Sequence, residues 1–135
     1  MKKNNVKIGN LVLKLGFPCK MPEYPIVTAK LGQRGSLVEV KICEIVRVDA
    51  RSYYSRISLR DGSFIDDYRS VAEVALLLPY NQFGYYRKGC IFNMNCVKSI
   101  DIKAMKVVLD NSTEVQLETR TVFKRFDEDY YVLKR

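Results

Sequence analysis

Apolar and polar residues alternate along most of the chain, and a period of two residues predicts β-strands. In the clearest run, Tyr53–Arg60, we expect Tyr53 and Ile57 to share one face, and Val46 and Val48 should share a face in the same way. The other predicted strands are Val6–Leu15, Ile26–Leu31, Leu37–Lys41, Cys43–Asp49, Phe64–Asp67, Tyr85–Arg87, Ile91–Phe92, Val97–Ile100, Ala104–Leu109 and Glu114–Leu117. So many short strands predict a mainly β fold.

Turn-forming residues separate the predicted strands. The pair Asp61-Gly62 favours a two-residue hairpin turn of type I′, because glycine tolerates the positive φ that this turn needs. The other predicted turns are Gly32–Ser36 and Asp110–Thr113, and a loop rich in glycine and proline runs from Gly16 to Pro25.

Two stretches have helical periodicity instead. The segment Ser70–Leu78 opens with Ser70 and Glu73, which predict a capping box because each side chain can satisfy a backbone N–H of the first turn. Its apolar residues fall on one face: Val71, Val74, Ala75 and Leu78. A shorter helix of one to two turns is predicted over Arg120–Phe126, with Phe123 and Phe126 facing inward and Lys124 facing out.

The charge of the chain is strongly basic, at +8 from 23 Lys and Arg against 15 Asp and Glu. Residues 1–41 hold eight basic and two acidic groups, residues 42–86 hold five and six, and residues 87–135 hold ten and seven. The excess therefore lies toward the two ends. A basic balance of this size favours a polyanionic partner or an anionic membrane surface.

Several function classes are disfavoured by composition. The chain has no histidine, which removes Ser-His-Asp and Cys-His catalysis. Its four cysteines, Cys19, Cys43, Cys90 and Cys96, have no CxxC spacing, so neither a zinc site nor another cofactor is expected. Met1–Asn10 lacks the apolar core of a signal peptide, and no apolar run approaches the length of a membrane span. We therefore expect a cytoplasmic protein with reduced thiols and no membrane partner.

The segment that begins at Phe83 has a distinctive order of residue types. Phe83 precedes the basic pair Arg87-Lys88, and Gly89 and three apolar residues then lead to Asn93. In this order and spacing the chain resembles the LytTR family of bacterial DNA-binding domains. It departs from the family pattern in having Arg87 where histidine is common and Gly89 where serine is common.

The resemblance extends from Ile26 to Phe126. The other features that carry it are the aliphatic segment Ile45–Ala50, the aromatic Tyr53, the Asp61-Gly62 turn, the helix opening Ser70-Val71-Ala72-Glu73, and the pair Thr119-Arg120, which is similar to a Ser-Arg pair at the start of the family's last helix. The resemblance implies that residues 26–135 form a LytTR-like DNA-binding domain and that residues 1–25 are a basic extension before it.

The resemblance also implies the architecture and the role. The fold would consist of elongated, mostly antiparallel β-sheets, and loops rather than a recognition helix would enter successive major grooves of double-stranded DNA. The protein would be a sequence-specific transcription regulator and not an enzyme. Family members usually carry this domain as a response-regulator output module behind a receiver or sensor domain, and we expect neither of those within these 135 residues. Family sites are often paired repeats, which implies two domains on one site, and such a pair could be a homodimer or two chains that bind separately.

Seven residues are the expected DNA contacts: Arg51, Tyr54, Arg87, Lys88, Asn93, Arg120 and Lys124. Arginine can donate two hydrogen bonds to O6 and N7 of guanine, and lysine neutralises phosphates. Backbone N–H groups at the start of the last helix can also bind a phosphate. Each residue has a plainer alternative: the charged side chains could be merely solvated, Tyr54 could cap the sheet, and Asn93 could bond backbone in a turn.

Two rival functions compete with this interpretation. A metal-dependent nuclease would need clustered carboxylates, for which Asp66-Asp67 and Asp127–Asp129 are the available groups. An RNA-binding or protein-interaction β module would need exposed aromatic rings. Adjacent tyrosines supply them, because one member of each pair in a strand must face outward: Tyr53-Tyr54, Tyr85-Tyr86 and Tyr130-Tyr131.

Overall fold

A computed structural model describes residues 27–134. The strand predicted at Val6–Leu15 and the loop predicted from Gly16 to Pro25 lie outside these residues. In the described part, the elements follow in the order β1 (Thr28–Gln33), β2 (Ser36–Lys41), β3 (Ile45–Ala50), β4 (Ser55–Leu59), β5 (Phe64–Asp67), α1 (Val71–Ala75), β6 (Phe83–Arg87), β7 (Cys90–Asn93), β8 (Val97–Asp101), β9 (Lys106–Leu109), β10 (Glu114–Gln116) and α2 (Arg120–Lys134).

The strands form three sheets, and every pair of neighbouring strands is antiparallel. A central sheet has the order β5-β4-β3-β7-β6, β1 and β2 form a hairpin, and a third sheet has the order β10-β9-β8. The prediction of a mainly β, antiparallel fold with two helices is confirmed.

Both faces of the central sheet are covered. The first core lies between this sheet, the β1–β2 hairpin and α1, and contains Ala29, Leu31, Val40, Ile42, Ile45, Val48, Ile57, Val71, Val74, Leu78, Phe83 and Ile91. The second core lies between the same sheet, the β8–β10 sheet and α2, and contains Val46, Tyr86, Cys90, Phe92, Met94, Cys96, Val107, Leu109, Val115, Leu117, Phe123 and Phe126. The central sheet is therefore the middle of three layers.

Strand β3 supplies side chains to both cores. Its pairing with β4 shifts register between Ile45 and Arg47, so that Val46 is an extra residue opposite the partner strand. Ile45 and Val48 consequently belong to the first core, whereas Val46 belongs to the second. The prediction that Val46 and Val48 share one face is wrong, because a β-bulge interrupts the simple alternation of side chains.

The strand predicted from Tyr53 begins only at Ser55. Tyr53 lies in the preceding loop and is 93% exposed, whereas Ile57 is fully buried. Ser55 is also fully buried, because its hydroxyl donates a hydrogen bond to the carbonyl of Arg69 at 2.7 Å. The alternation therefore holds from Ser55 onward, and the prediction that Tyr53 and Ile57 share one face is wrong.

The hairpin turn at Asp61-Gly62 is present, but it is not of type I′. Gly62 has a φ of +89°, whereas Asp61 is not among the described residues with positive φ, and a type I′ turn needs two such residues. The Asp61 carboxylate instead accepts hydrogen bonds from the backbone N–H and the hydroxyl of Ser63. A side chain that bonds its own backbone two residues further along stabilises this wider turn.

Helix α1 begins with the predicted capping box. The Ser70 hydroxyl accepts from the Glu73 N–H at 3.2 Å, and the Glu73 carboxylate accepts from the Ser70 N–H at 2.9 Å. The helix ends at Ala75 rather than at Leu78, and the chain continues in turns to Pro79. Leu78 is buried nonetheless, so the predicted apolar face is preserved.

Helix α2 has 15 residues and is much longer than the one to two turns predicted over Arg120–Phe126. Contacts made by its second half explain the difference. The ring of Tyr130 stacks on that of Phe126 at 5.7 Å, and Asp129 accepts a hydrogen bond from the hydroxyl of Tyr86 in β6. Propensity and periodicity within the last helix do not reveal such tertiary contacts.

A buried ion pair fastens the end of β5 to the β1–β2 hairpin. The Asp67 carboxylate has no exposed surface and accepts hydrogen bonds from the N–H of Gly32 and from the N–H and guanidinium of Arg69, all at 2.8–2.9 Å. Burial by itself raises the pKa of Asp67, but these donors outweigh burial and hold the pKa below its ordinary value.

We predict that Asp67→Asn lowers the free energy of unfolding by about 3 kcal/mol at neutral pH, because it leaves Arg69 without its buried partner. Since the folded-state pKa of Asp67 is depressed, its contribution is complete above the ordinary aspartate pKa of 3.8 and is lost as the pH falls through the folded value. Urea denaturation between pH 7 and pH 2 should therefore show that the free energy of unfolding falls less steeply with acid for the variant than for the wild type. Glu128→Gln, at an exposed position on α2, is the control and should resemble the wild type.

Candidate nucleic-acid interface

Two loops meet at one end of the central sheet. The loop after β3 is closed by a hydrogen bond from the Arg51 N–H to the Tyr54 carbonyl at 2.8 Å. The N–H of Ala50 donates to the carbonyl of Gly89 at 2.8 Å, which joins this loop to the turn between β6 and β7. Gly89 has a φ of +74°, a conformation that glycine adopts without strain. The exposed side chains of Arg51 and Lys88 therefore project from neighbouring, hydrogen-bonded segments.

Arg87 links these loops to the third sheet. Its Nη1 donates a hydrogen bond to the carbonyl of Gln116, the last residue of β10, at 2.9 Å. Four residues later the chain begins α2, and the hydroxyl of the preceding Thr119 accepts from the N–H of Val122 at 3.1 Å. Thr119 thus caps the helix, and Arg120 is its first residue.

Arg125 fastens α2 to the edge strand β6. Its guanidinium donates to the carbonyl of Tyr85 at 2.9 Å and lies over the ring of Tyr86, 4.9 Å from the ring centroid. These contacts hold the first turns of the helix, and with them Arg120 and Lys124, beside the strand that ends at Arg87. The sequence pattern places Arg125 on the outer face and gives no sign of this positioning role.

Five of the seven predicted contact residues are cations that have no acidic partner within residues 27–134. Over residues 27–134, ion pairs join Arg47 to Asp49, Arg56 to Asp66, Arg60 to Asp110, Arg69 to Asp67 and Lys106 to Glu114. None of these pairs includes a predicted cationic contact: Arg51, Arg87, Lys88, Arg120 or Lys124. A carboxylate partner would have to be displaced before such a side chain met a phosphate, so these five are available without that penalty.

Tyr54 is half-buried and sits at the start of the same sheet edge. It interacts with Arg56, whose pKa is raised mainly by its hydrogen bond to Asp66 and to a smaller extent by Tyr54. Its carbonyl accepts from the Arg51 N–H, so Tyr54 lies next to another predicted contact residue, and its own contact with DNA stays a prediction.

Asn93 does not belong with the other six residues. It lies at the far end of β7 from the turn at Lys88-Gly89, and its side chain is fully buried. Its Nδ2 donates to the carbonyl of Ile45 at 3.0 Å and its Oδ1 accepts from the N–H of Asn95 at 2.9 Å. Both ends of the amide are thus occupied by backbone, and the expectation of a DNA contact is corrected to a structural role.

The thiol nearest the interface is not reactive. Cys90 is buried, and burial raises the pKa of its thiol to about 12, so that the thiolate needed for oxidation is scarce at neutral pH. Burial likewise raises the pKa of Cys96.

Three of the five carboxylates that a nuclease could use are engaged with other side chains. Asp66 pairs with Arg56, Asp67 with Arg69, and Asp129 accepts the hydroxyl of Tyr86. In the part of the chain that the structure covers, no three acidic or cysteine side chains lie close enough to hold a metal ion. No helix in that part is both long enough and apolar enough to cross a membrane.

Comparison with known proteins gives one informative result. No family model matches the chain, and none of the curated proteins matches it either. Among solved structures, it is similar to the LytTr DNA-binding domain of a protein from Bacillus cereus that is described as a methyl-accepting/DNA response regulator. The two share 17% identity with a TM-score of 0.62, over 76% of this chain and 95% of that one.

The chain has the LytTR fold. The likeness covers nearly all of the Bacillus cereus domain, so the three-layer arrangement described above is that of a whole LytTR domain and not of a fragment. At 17% identity the likeness concerns the fold, and the roles of individual side chains have to be argued from their own surroundings.

Tyr53 is not among the seven predicted contact residues, although the sequence offers the Tyr53-Tyr54 pair as a source of an exposed ring. It does not share the buried face of Ile57 but lies at the tip of the loop that carries Arg51 and is 93% exposed. The adjacent tyrosine pair did contain the relevant information, because only one of two neighbouring side chains can face a core.

We predict that Asn93→Ala lowers the free energy of unfolding by about 2–4 kcal/mol, because it removes the acceptor of the Asn95 N–H and leaves the buried carbonyl of Ile45 with only the weak thiol donor of Cys96. Asn95→Ala, a change to the exposed neighbour, should stay within about 0.5 kcal/mol of the wild type. Urea denaturation measures both. Equal stabilities of the two variants would contradict the structural role of Asn93.

Proposed function

We propose that this chain binds double-stranded DNA in a sequence-specific manner, as the DNA-reading part of a bacterial transcription regulator. The observation that carries the proposal is the set of five cations, none with an acidic partner among the described residues, on segments joined by hydrogen bonds. The similar Bacillus cereus structure is a DNA-binding domain, and this likeness supports the same function.

The loops at the end of the central sheet are the proposed readers of base edges. Arg87 uses Nη1 for the Gln116 carbonyl and keeps its other donors, in a guanidinium held at a fixed position. A planar guanidinium in this state can donate two hydrogen bonds to O6 and N7 of a guanine in the major groove. Arg51 and Lys88, on the adjoining loops, would neutralise the flanking phosphates.

Helix α2 is the proposed second contact, at the next major groove. Arg120 and Lys124 are four residues apart, so they lie one above the other on the same face of the helix. Their side chains and the N–H groups of the first turn can bind phosphates without identifying bases. Two such domains on paired repeats would act as a homodimer, in the cytoplasm with the chromosome, and without catalysis.

A second candidate function has one observation in its favour. Tyr53 and Tyr85 are 93% and 55% exposed near Arg51 and Lys88, and exposed rings among cations are typical of proteins that bind single-stranded RNA. Competition separates the two functions: an excess of single-stranded RNA should leave binding to a labelled DNA duplex intact if the chain reads duplex DNA.

We predict that Arg87→Ala weakens binding to a selected cognate duplex by about 1–3 kcal/mol and reduces the preference for that duplex over random DNA. The physical reason is the loss of the bidentate contact to guanine. Fluorescence anisotropy on both duplexes measures the change. Full affinity and an unaltered preference in this variant would show that the β6–β7 turn does not read bases.

We predict that Lys124→Ala weakens binding to all duplexes about equally and lowers the slope of log affinity against log salt by about one, because one phosphate contact is lost. Lys41→Ala is the matched control. Lys41 is exposed and lies before β3, whereas Arg51 follows the other end of that strand. Because β3 has 6 residues, Lys41 should lie about 20 Å from Arg51. The interface is misplaced if Lys41→Ala changes the salt slope as much as Lys124→Ala does.

A further inference from the structure

The loop after β3 presents an aromatic ring to solvent. Tyr53 is 93% exposed, the largest exposed fraction among the large apolar residues of the described chain. Its neighbour Tyr54 is half-buried and Ser55 fully buried, so the chain passes from a solvent-facing tip into the sheet within two residues. A ring in this position is not buried in either core and adds no packing to the folded protein.

The backbone beneath this ring is held in place. The Arg51 N–H donates to the Tyr54 carbonyl at 2.8 Å and closes the loop, and the Ala50 N–H donates to the Gly89 carbonyl at 2.8 Å and ties the loop to its neighbour. A tyrosine has only two side-chain torsions to restrict. Together these features make the loss of entropy on binding small, as for aromatic residues in protein binding loops.

The surroundings of Tyr53 restrict what it can meet on DNA. Arg51 and Lys88 are exposed and have no acidic partner among the described residues, so on a duplex they would bind phosphates close to the loop tip. The exposed ring of Tyr53 would then be near the base edges of the same groove. In the major groove, the one apolar group that base pairs display is the C5-methyl group of thymine.

We infer that Tyr53 is a specificity-determining residue that selects a thymine by packing its ring against the C5-methyl group. This inference rests on the proposed function, since it needs the loop to enter the major groove. The hydroxyl of Tyr53 plays no part in it, because the partner is an apolar group. The loop therefore contributes a base preference in addition to the guanine contact of Arg87.

The experiment uses the full chain and a duplex that it has selected from a random pool. Each thymine of that duplex is replaced in turn by uracil, which pairs identically but lacks the methyl group, and affinity is measured by fluorescence anisotropy. The wild type should lose about three- to fivefold at one thymine of the contacted site, the effect of one buried methyl group. The Tyr53→Ala variant should bind about tenfold more weakly and show no loss at that same position.

Two matched variants complete the test. Tyr53→Phe keeps the ring and should behave as the wild type, and Tyr131→Ala removes another exposed tyrosine, on α2, and should also leave affinity unchanged. Because the ring of Tyr53 makes almost no contact with the protein, each Tyr53 variant should melt at the wild-type temperature.

The possible failures are distinguishable. If Tyr53→Ala keeps wild-type affinity and the same loss on uracil, the inference is overturned while the proposed function stands. If Tyr53→Phe is as weak as Tyr53→Ala and uracil has no effect, the hydroxyl binds a phosphate and the inference is again overturned. If the wild-type protein selects no duplex at all, the proposed function itself fails.

Discussion

Strand β3 is the constraint on which the rest of the molecule depends. It pairs with β4 on one side and β7 on the other, and the shift of register between Ile45 and Arg47 lets it supply side chains to both cores. The hairpin and α1 can therefore pack on one face of the central sheet while the β8–β10 sheet and α2 pack on the other. The strand ends at Ala50, whose hydrogen bond to Gly89 brings the two proposed reading loops together.

Several polar side chains within the three-layer fold bond to neighbouring strands and layers instead of facing solvent. Arg47 forms an ion pair with Asp49 on its own strand and donates to Thr113 and the carbonyl of Glu114 across the layer boundary. Asn93 ties β7 to the carbonyl of Ile45. Buried polar groups with all partners satisfied specify one arrangement of the layers, and a single arrangement is what a rigid set of contact loops requires.

Much of this architecture can be predicted from the sequence, because local chemistry agrees with the tertiary structure at many positions. The strand Phe64–Asp67 has the predicted bounds, and the capping box of α1 depends only on residues three apart. The order of residue types from Phe83 onward identified a resemblance that the fold supports. Four of the predicted contact residues are exposed, namely Arg51, Lys88, Arg120 and Lys124, and Arg87 is partly exposed. Their positions after predicted strands or on a predicted helix face are consistent with this exposure.

The failures share a physical cause, which is that long-range contacts overrode a local pattern. The bulge in β3 sends Val46 to the second core, contacts of Asp129 and Tyr130 lengthen α2, and Asn93 is buried because a carbonyl 48 residues away needs a donor. The prediction for Tyr53 was wrong for a related reason. The chain closes a loop between Arg51 and Tyr54, so the strand that was predicted to begin at Tyr53 begins at Ser55.

The central claim is that the three-layer fold presents cations without acidic partners among the described residues, and that these cations read duplex DNA. The most direct test measures the affinity of the wild-type protein for a selected and a shuffled duplex over a series of salt concentrations. We predict a marked preference for the selected duplex that persists at moderate salt, with log affinity falling against log salt at a slope of about −4, as the four cations proposed to bind phosphates would give. Equal, weak affinities for both duplexes that vanish at moderate salt would contradict the account.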